Sequence, residues 1–340
     1  MDDLEQLLTD LVAINSVNPD LVPGAPGEGE VAAYIARWLE AAGLEVHRDE
    51  PVAGRPNVVG IARGTGGGRT LLLNGHVDTV SVSEGSDLLR PRVENGRLYG
   101  RGAYDMKGGV AACMLAAAEA KRRGLRGDVI VTAVMDEEYA GLGTMAVAEQ
   151  YRADAAIVAE PTDLQLVIAH RGFVWLEMET RGVAAHGSRP DLGVDAIARM
   201  GRVLVEVERL AADLLARPAH PLLGPPSLHA SLIRGGQEMS SYPDRCLLSL
   251  ERRTLPGETA EAVEEELRDI ADRLNRADAT FKAEVRRGLV RAPLETPEDA
   301  GIVTAVREAS AGVLGQPATI AGVPYWTDAA TLWAAGVPTV

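Results

Sequence analysis

Three short, largely apolar runs each end on a carboxylate or an imidazole, and this limits the fold of the chain more than any other feature. Thr70-Leu71-Leu72-Leu73-Asn74 leads into Gly75-His76-Val77-Asp78. Val129-Ile130-Val131-Thr132-Ala133-Val134 leads into Asp136-Glu137-Glu138, and Ala155-Ala156-Ile157-Val158-Ala159 into Glu160-Pro161. Continuous apolar runs of this length read as strands covered on both faces. Helical spacing separates them, over Lys107 to Arg123 and over residues 141–151. The alternation predicts an α/β sheet with helices on both sides. Such a sheet places its ligand crevice beyond the carboxyl ends of its strands. A fourth motif, Gly102-Ala103-Tyr104-Asp105-Met106-Lys107-Gly108-Gly109, opens the helix that starts at Lys107.

Upstream, apolar spacing predicts helices over 2–15 and 29–43, then strands over 44–48 and 57–62. The pattern changes near Gly172. Phe173 to Thr180 alternates like a half-exposed strand, and 193–216 and 259–276 are amphipathic helices. Leu228 to Ile233, Leu247 to Arg252 and Phe281 to Arg286 read as strands. The order β-α-β-β-α-β is that of a ferredoxin-like unit. It is expected as an insert, residues 173–288, in a first domain made of 1–172 and 289–340. Helices over 298–313 and 327–335 resume the α/β style. The length of 340 residues suits two domains. Gly64 to Gly68 precedes a strand, not a helix, so it is not a phosphate loop.

A net charge of −15 argues against nucleic acid and anionic membranes as partners. Cys113 and Cys246, the two cysteines, form neither a disulfide framework nor a thiolate metal motif. No run approaches the roughly 18 apolar residues of a membrane span. The start, Met1-Asp2-Asp3-Leu4-Glu5, lacks the apolar centre of a signal peptide, and a cytoplasmic protein is expected.

The polar strand ends admit two readings each. His76 and Asp78, two apart in an extended segment, point the same way, which suits a metal-ligating imidazole held by a carboxylate. They equally suit a loop histidine beside a turn aspartate. Asp105 either caps its helix or bridges two cations. Adjacent Asp136, Glu137 and Glu138 repel one another, and either a cation or full solvation offsets that. With a cation, one glutamate ligates and its neighbour takes a proton from water. Glu160 is a ligand or a solvated strand end. The gathering of all four segments at one sheet edge favours the metal reading of each.

Together these motifs resemble the acetylornithine deacetylase, succinyl-diaminopimelate desuccinylase, aminoacylase and glutamate carboxypeptidase family of di-zinc hydrolases. The similarity extends over essentially the whole chain. It implies a zinc-peptidase-like α/β/α catalytic domain with an inserted lid and dimerisation domain. It further implies two Zn²⁺ per subunit in a complete chain, with Co²⁺ or Mn²⁺ as alternatives. By the resemblance His76 and Glu160 bind one ion, Asp105 bridges both, Glu138 binds the other, Glu137 is the general base and Asp78 orients His76.

In the insert, Val183-Ala184-Ala185-His186-Gly187-Ser188-Arg189-Pro190 resembles the segment whose histidine reaches the partner subunit's active site and stabilises an oxyanion. Arg253-Thr254-Leu255-Pro256-Gly257-Glu258 resembles a segment whose arginine binds the substrate carboxylate, with the neighbouring Arg252 as the alternative if it is the one facing inward. Ser240 stands where many members have an asparagine that contacts substrate. His170 is expected to be structural. No histidine follows His229, whereas members carry a second-zinc histidine further on, and the sequence therefore reads as a C-terminally truncated form whose Val337 to Val340 would lie partly unpaired. The branch most resembled is acetylornithine deacetylase-like. The expected activity is hydrolysis of the amide of a small N-acyl amino acid by a homodimer joined through the insert. The rivals are a dipeptidase or carboxypeptidase of the same family and a non-catalytic amino-acid-binding protein.

Overall fold

The computed structural model describes residues 3–83 and 87–340, so Met1 and Asp2 of the acidic start and of the expected first helix lie outside the described residues. The chain divides into two compact units. One comprises Met1–Ile168, Thr296–Ala321 and Thr327–Val340, and the other Ala169–Glu295 and Gly322–Trp326.

The first unit begins with helices α1 (Asp3–Ala13) and α2 (Gly29–Ala41) and strands β1 (Glu45–Val52), β2 (Arg55–Ala62) and β3 (Leu71–His76). A small hairpin, β4 (Arg92–Glu94) and β5 (Arg97–Tyr99), precedes α3 (Lys107–Arg123), β6 (Val129–Val134), α4 (Leu142–Gln150) and β7 (Ala155–Val158). The sheet order is β1-β2-β6-β3-β7. β3 runs parallel to both β6 and β7, while β1, β2 and β6 pair antiparallel. The sheet is therefore mixed, with its parallel half carrying the three polar strand ends.

Apolar packing on both faces explains the unbroken runs. On one face Val58, Leu73 and Val131 meet Leu11, Ile35, Leu39 and Met114 from α1, α2 and α3. On the other, Ile61, Leu72, Ile130 and Val134 meet Val147 of α4 and Leu332. Two residues seat the start of α3. Lys107 is buried, and its Nζ donates to the carbonyls of Leu11 (2.9 Å) and Ile14 (2.8 Å), satisfying chain ends of α1. Burial pulls its pKa down to about 7. Gly109 lies so close to β7's end that a Cβ there would fall 2.1 Å from the Ala159 oxygen.

The chain then passes through β8 (Leu166–His170) into the second unit, which holds β9 (Gly172–Arg181), α5 (Ala196–Leu215), β10 (Ser227–Gly235), β11 (Arg245–Thr254), α6 (Ala260–Ala277) and β12 (Lys282–Arg291). The order β10-β11-β9-β12, antiparallel throughout, is the ferredoxin-like arrangement. One sheet face is covered, by Met200, Val203, Leu267 and Ile270 of the two helices against Met178, Leu248 and Leu250. Asp195 caps α5 by accepting the Ala198 N–H (2.9 Å), which sets the helix start later than apolar spacing alone predicts.

β13 (Leu294–Glu295), α7 (Gly301–Leu314), β14 (Ile320–Val323) and α8 (Ala329–Ala334) complete the elements. Residues 337–340 differ from expectation. They lie alongside β7, where the Ala156 and Val158 N–H groups donate to the carbonyls of Pro338 and Val340, both at 2.8 Å. Val337, Thr339 and Val340 are buried, because β7 offers an open edge and an apolar floor. No helix among the described residues is long and apolar enough to cross a membrane.

Gly109→Ala should lower stability by about 1–3 kcal/mol through overpacking of α3 against β7, read as a shift of the urea midpoint.

Candidate metal centre and active site

Parallel pairing brings the polar groups together. His76 lies opposite Val134 in the β3–β6 ladder, and Asn74 opposite Val158 in the β3–β7 ladder. The three strands therefore end level, and His76, Glu137 and Glu160 follow at one edge.

The His76 ring is buried. Its Nε2 lies 3.0 Å from Asp105 Oδ1, 3.8 Å from Glu160 Oε1 and 3.9 Å from Glu137 Oε2. Its Nδ1 lies 3.0 Å from the Asp78 main-chain oxygen and 3.4 Å from Asp78 Oδ1. A neutral ring donating from Nδ1 leaves the Nε2 lone pair facing the carboxylates. Burial opposes charging of His76, but hydrogen bonds to Asp105 and Asp78 and the nearby Glu160 and Glu137 outweigh it and hold the pKa well above its usual value.

Asp105 does not cap α3. The N-cap is Met106, without a side-chain hydrogen bond, which leaves the Asp105 carboxylate turned to His76 across a cis peptide bond with Met106. Glu137 and Glu160 are not solvated, with side chains 11% and 9% exposed. Burial pushes the Glu137 carboxyl well above the usual range, Glu138 to about 7 and Glu160 to about 8. Asp328 adds like-charge repulsion to both Glu137 and Glu160. It accepts from Thr144 Oγ1 at 2.7 Å at the start of α8.

The acidic turn is pinned through its backbone. Asp78 Oδ1 accepts the Glu137 N–H (3.1 Å) and Oδ2 the Glu138 N–H (3.2 Å). Asp136 has φ of 70°, and its carbonyl accepts the N–H groups of Ala140 (3.1 Å) and Gly141 (2.6 Å).

His186, Ser240 and Arg253 belong to the second unit. His186 and Ser240 are brought side by side: Gly187 N–H donates to the Ser240 carbonyl at 2.7 Å, and His186 bridges to Ser241. His186 Nδ1 lies 2.8 Å from Ser188 Oγ. Arg253, on β11, pairs with Glu251 (2.7 Å) and lies over the Phe173 ring. Arg252 turns into the unit and is held by Glu258 and the Arg253 carbonyl, so of the two Arg253 is the accessible one. His170 is buried edge-on to Trp326, with Nδ1 3.0 Å from the Arg171 carbonyl.

Sequence reasoning missed Asn18, Arg55, Glu28 and Asp328 as neighbours of the site. Only Asn18, in Val17-Asn18-Pro19, carries a local signal, that of a turn.

Residues 72–340 match the model of peptidase family M20/M25/M40. The chain belongs to that family. It is 34% identical over 317 residues to an acetylornithine deacetylase of Myxococcus xanthus, covering 90% of this chain and 81% of that protein. It is 31% identical over 300 residues to an N-formyl-4-amino-5-aminomethyl-2-methylpyrimidine deformylase of Bacillus subtilis, covering 82% and 69%. An M20-family metallo-carboxypeptidase from Sulfolobus solfataricus superposes with a TM-score of 0.79 at 18% identity, over 100% of this chain and 90% of that one. The chain is thus an amidohydrolase with the α/β fold of M20 peptidases, a metal-dependent family.

The side chains fit a metal. One donor atom each from His76, Glu137 and Glu160 lie within 4.8 Å of one another, and so do donors from His76, Asp105 and Glu138. Nitrogen and carboxylate oxygen are the donor set of hydrolytic zinc sites. Burial first, and repulsion from neighbouring acids after it, raise these carboxyl pKa values, and a divalent cation would offset that repulsion.

Metal-free protein should lose stability as pH rises. Glu138 and Glu160 carry folded pKa values of about 7 and about 8 against an ordinary 4.5, so each contributes stability below 4.5 that is lost as pH rises through its folded pKa. His76, also raised, acts in the same sense. In chelator, Tm should fall from about pH 5 to about pH 8, and saturating divalent metal should flatten or reverse that slope.

Proposed function

We propose that the chain hydrolyses the amide bond of a small N-acyl amino acid, in the manner of an acetylornithine deacetylase-like deacylase, with Glu137 as general base. The observation that carries the proposal is the setting of Glu137. Its backbone is fixed on Asp78, and its carboxyl is buried beside His76 and Glu160, with burial raising its affinity for a proton. His76 and Glu160 would hold one Zn²⁺, Glu138 a second, and Asp105 both, with Co²⁺ or Mn²⁺ as substitutes. The metal would supply Lewis-acid polarisation of the amide carbonyl and acidify water. Glu137 takes the proton of the attacking water and returns it to the leaving amine. Asp78 keeps the His76 ring oriented.

The insert would contribute the remaining groups. Arg253, accessible on β11, suits the substrate carboxylate, since a guanidinium binds it with two parallel hydrogen bonds. Ser240, whose carbonyl accepts the N–H of Gly187 next to His186, would be a further substrate contact. His186 would act on the partner subunit's substrate, where it stabilises the oxyanion. The homodimer this requires is supported by β10, an edge strand on which Leu232 and Ile233 are 56% and 53% exposed.

A dipeptidase or carboxypeptidase activity is the second reading, favoured by the same Arg253, which would bind a peptide carboxylate equally well. Comparing kcat/KM on N-acetylornithine, N-succinyl-diaminopimelate and a dipeptide panel separates the two. A preference for dipeptides would replace the first reading with the second.

Glu137→Gln should retain bound metal and lose about 10²–10⁴-fold in kcat, whereas Glu138→Ala should lose metal, both read by metal analysis after dialysis. Mixing inactive His186→Ala with inactive Glu137→Gln should restore partial turnover through hybrid dimers. No recovery after demonstrated subunit exchange would rule out action in trans.

A further inference from the structure

We infer that Asn18 is a positioning residue of the active site: its carboxamide bridges the Asp78 and Asp136 carboxylates and so holds Glu137 and Glu138 where they act. The inference rests on the reading of Glu137 as base and Glu138 as ligand. It concerns a residue outside the span, 72–340, over which the family match runs.

Asn18 is fully buried. Its backbone is fixed beside the residue that follows Asp78. The Asn18 N–H donates to the Thr79 carbonyl (2.9 Å), and the Thr79 N–H donates to the Ser16 carbonyl (3.0 Å). From there Nδ2 donates to Asp78 Oδ2 at 2.8 Å and to Asp136 Oδ1 at 3.1 Å. Oδ1 accepts the Asp20 N–H at 2.9 Å. The orientation of the amide is forced, because a flipped group would set its oxygen against two carboxylates. Both amide hydrogens are therefore committed, one to each acid.

The chemistry demands a neutral double donor. Asp78 and Asp136 are buried like charges converging on one point. Arg55 offsets Asp136 from the other side (Nη1 to Oδ1, 3.3 Å), while its remaining donors are held by Glu28 (2.9 and 2.5 Å) and Asp20 (2.5 Å). Among the described residues no arginine pairs with Asp78, whose carboxylate is held by Asn18, by the N–H groups of Glu137 and Glu138 and by His76 Nδ1 at 3.4 Å. Asn18 thereby holds the acidic turn at two points: at Asp136, where the turn begins with φ of 70°, and at the carboxylate to which the next two N–H groups are pinned. If the Asp78 carboxylate rotates away, Glu137 and Glu138 lose their backbone anchor and His76 loses its neighbour. Asn18 touches no reacting atom, so its effect is exerted through these side chains.

The test is a series at this position in the full chain: Asn18→Ala, Asn18→Ser and Asn18→Asp. Each is measured for kcat and KM, for Co²⁺ affinity by titration, and for Tm. Asn18→Ala should lower kcat about 10- to 100-fold with KM little changed, and weaken Co²⁺ binding about tenfold or more, as loss of a ligand-supporting hydrogen bond does. Asn18→Ser retains one donor and should fall between wild type and Asn18→Ala. Asn18→Asp matches asparagine in size but replaces the donor pair with a third carboxylate, so it should have the lowest kcat of the three. A space-filling role predicts the opposite ranking, with Asn18→Asp nearest to wild type, and that ranking overturns the inference. So does wild-type kcat and Co²⁺ affinity per folded molecule in Asn18→Ala. Should Asn18→Ala not fold, the order of Asn18→Ser above Asn18→Asp decides. If the wild-type chain cleaves no amide, the reading of Glu137 fails on its own, and the Co²⁺ titrations still decide the role of Asn18.

Discussion

Crowding of carboxylates around one buried imidazole is the constraint on which the rest of the first unit depends. Glu137 and Glu160 oxygens each lie about 4 Å from His76 Nε2. At that distance a unit pair interacts by about 4 kcal/mol at an effective dielectric near 20. A single imidazolium cannot balance Asp105, Glu137, Glu138 and Glu160 together, and burial of Glu137 and Glu160 removes much of the water that would otherwise screen those two. The cluster must take up protons or a cation, and the raised pKa values of three of its members are the first of these alternatives. The surrounding structure supplies neutral or fixed donors wherever a carboxylate does not face the centre: backbone N–H groups and Asn18 for Asp78, Arg55 for Asp136, Thr144 for Asp328.

The two units answer different demands with different sheets. Parallel pairing of β3 with β6 and β7 makes three strands end level, so groups far apart in sequence reach one edge without long loops. Covering both faces makes those strands rigid platforms, which suits a site whose parts must stay within a few tenths of an ångström of one another. The second unit is antiparallel and covered by helices on one face only. Alternation along β11, where every second residue is buried, leaves a polar row including Arg253 facing outward.

Much of this was legible in the sequence. The unbroken apolar runs named β3, β6 and β7, and the four motifs named the side chains that converge on His76. The β-α-β-β-α-β order gave the second unit, because β11 alternates and α5 and α6 are strongly amphipathic, although β9 is buried over most of its length. The short strands β8 and β14 escaped notice, since five and four residues carry too little periodicity to stand out. β12 runs on to Arg291 past an irregularity between Arg287 and Val290 that breaks its alternation. Pairing of 337–340 with β7 depends on which strand edge lies open, a property of topology and not of those four residues. Asn18 escaped for a related reason: its partners are 60 and 118 positions away, and nothing local marks an asparagine that must donate twice.

The first unit is interrupted by the whole of Ala169–Glu295, and this has a consequence for synthesis. β7 is made early, but the strand that covers its outer edge, 337–340, leaves the ribosome only after the inserted unit and α7 have been translated. At about 5–20 residues per second, that edge stays bare for roughly ten to thirty seconds in every nascent chain. Leu332, Val337 and Val340, which fill the apolar floor there, arrive equally late. The second unit is translated during that interval, its Gly322–Trp326 segment after the rest. Until 337–340 cover it, that edge is a template on which another strand can pair.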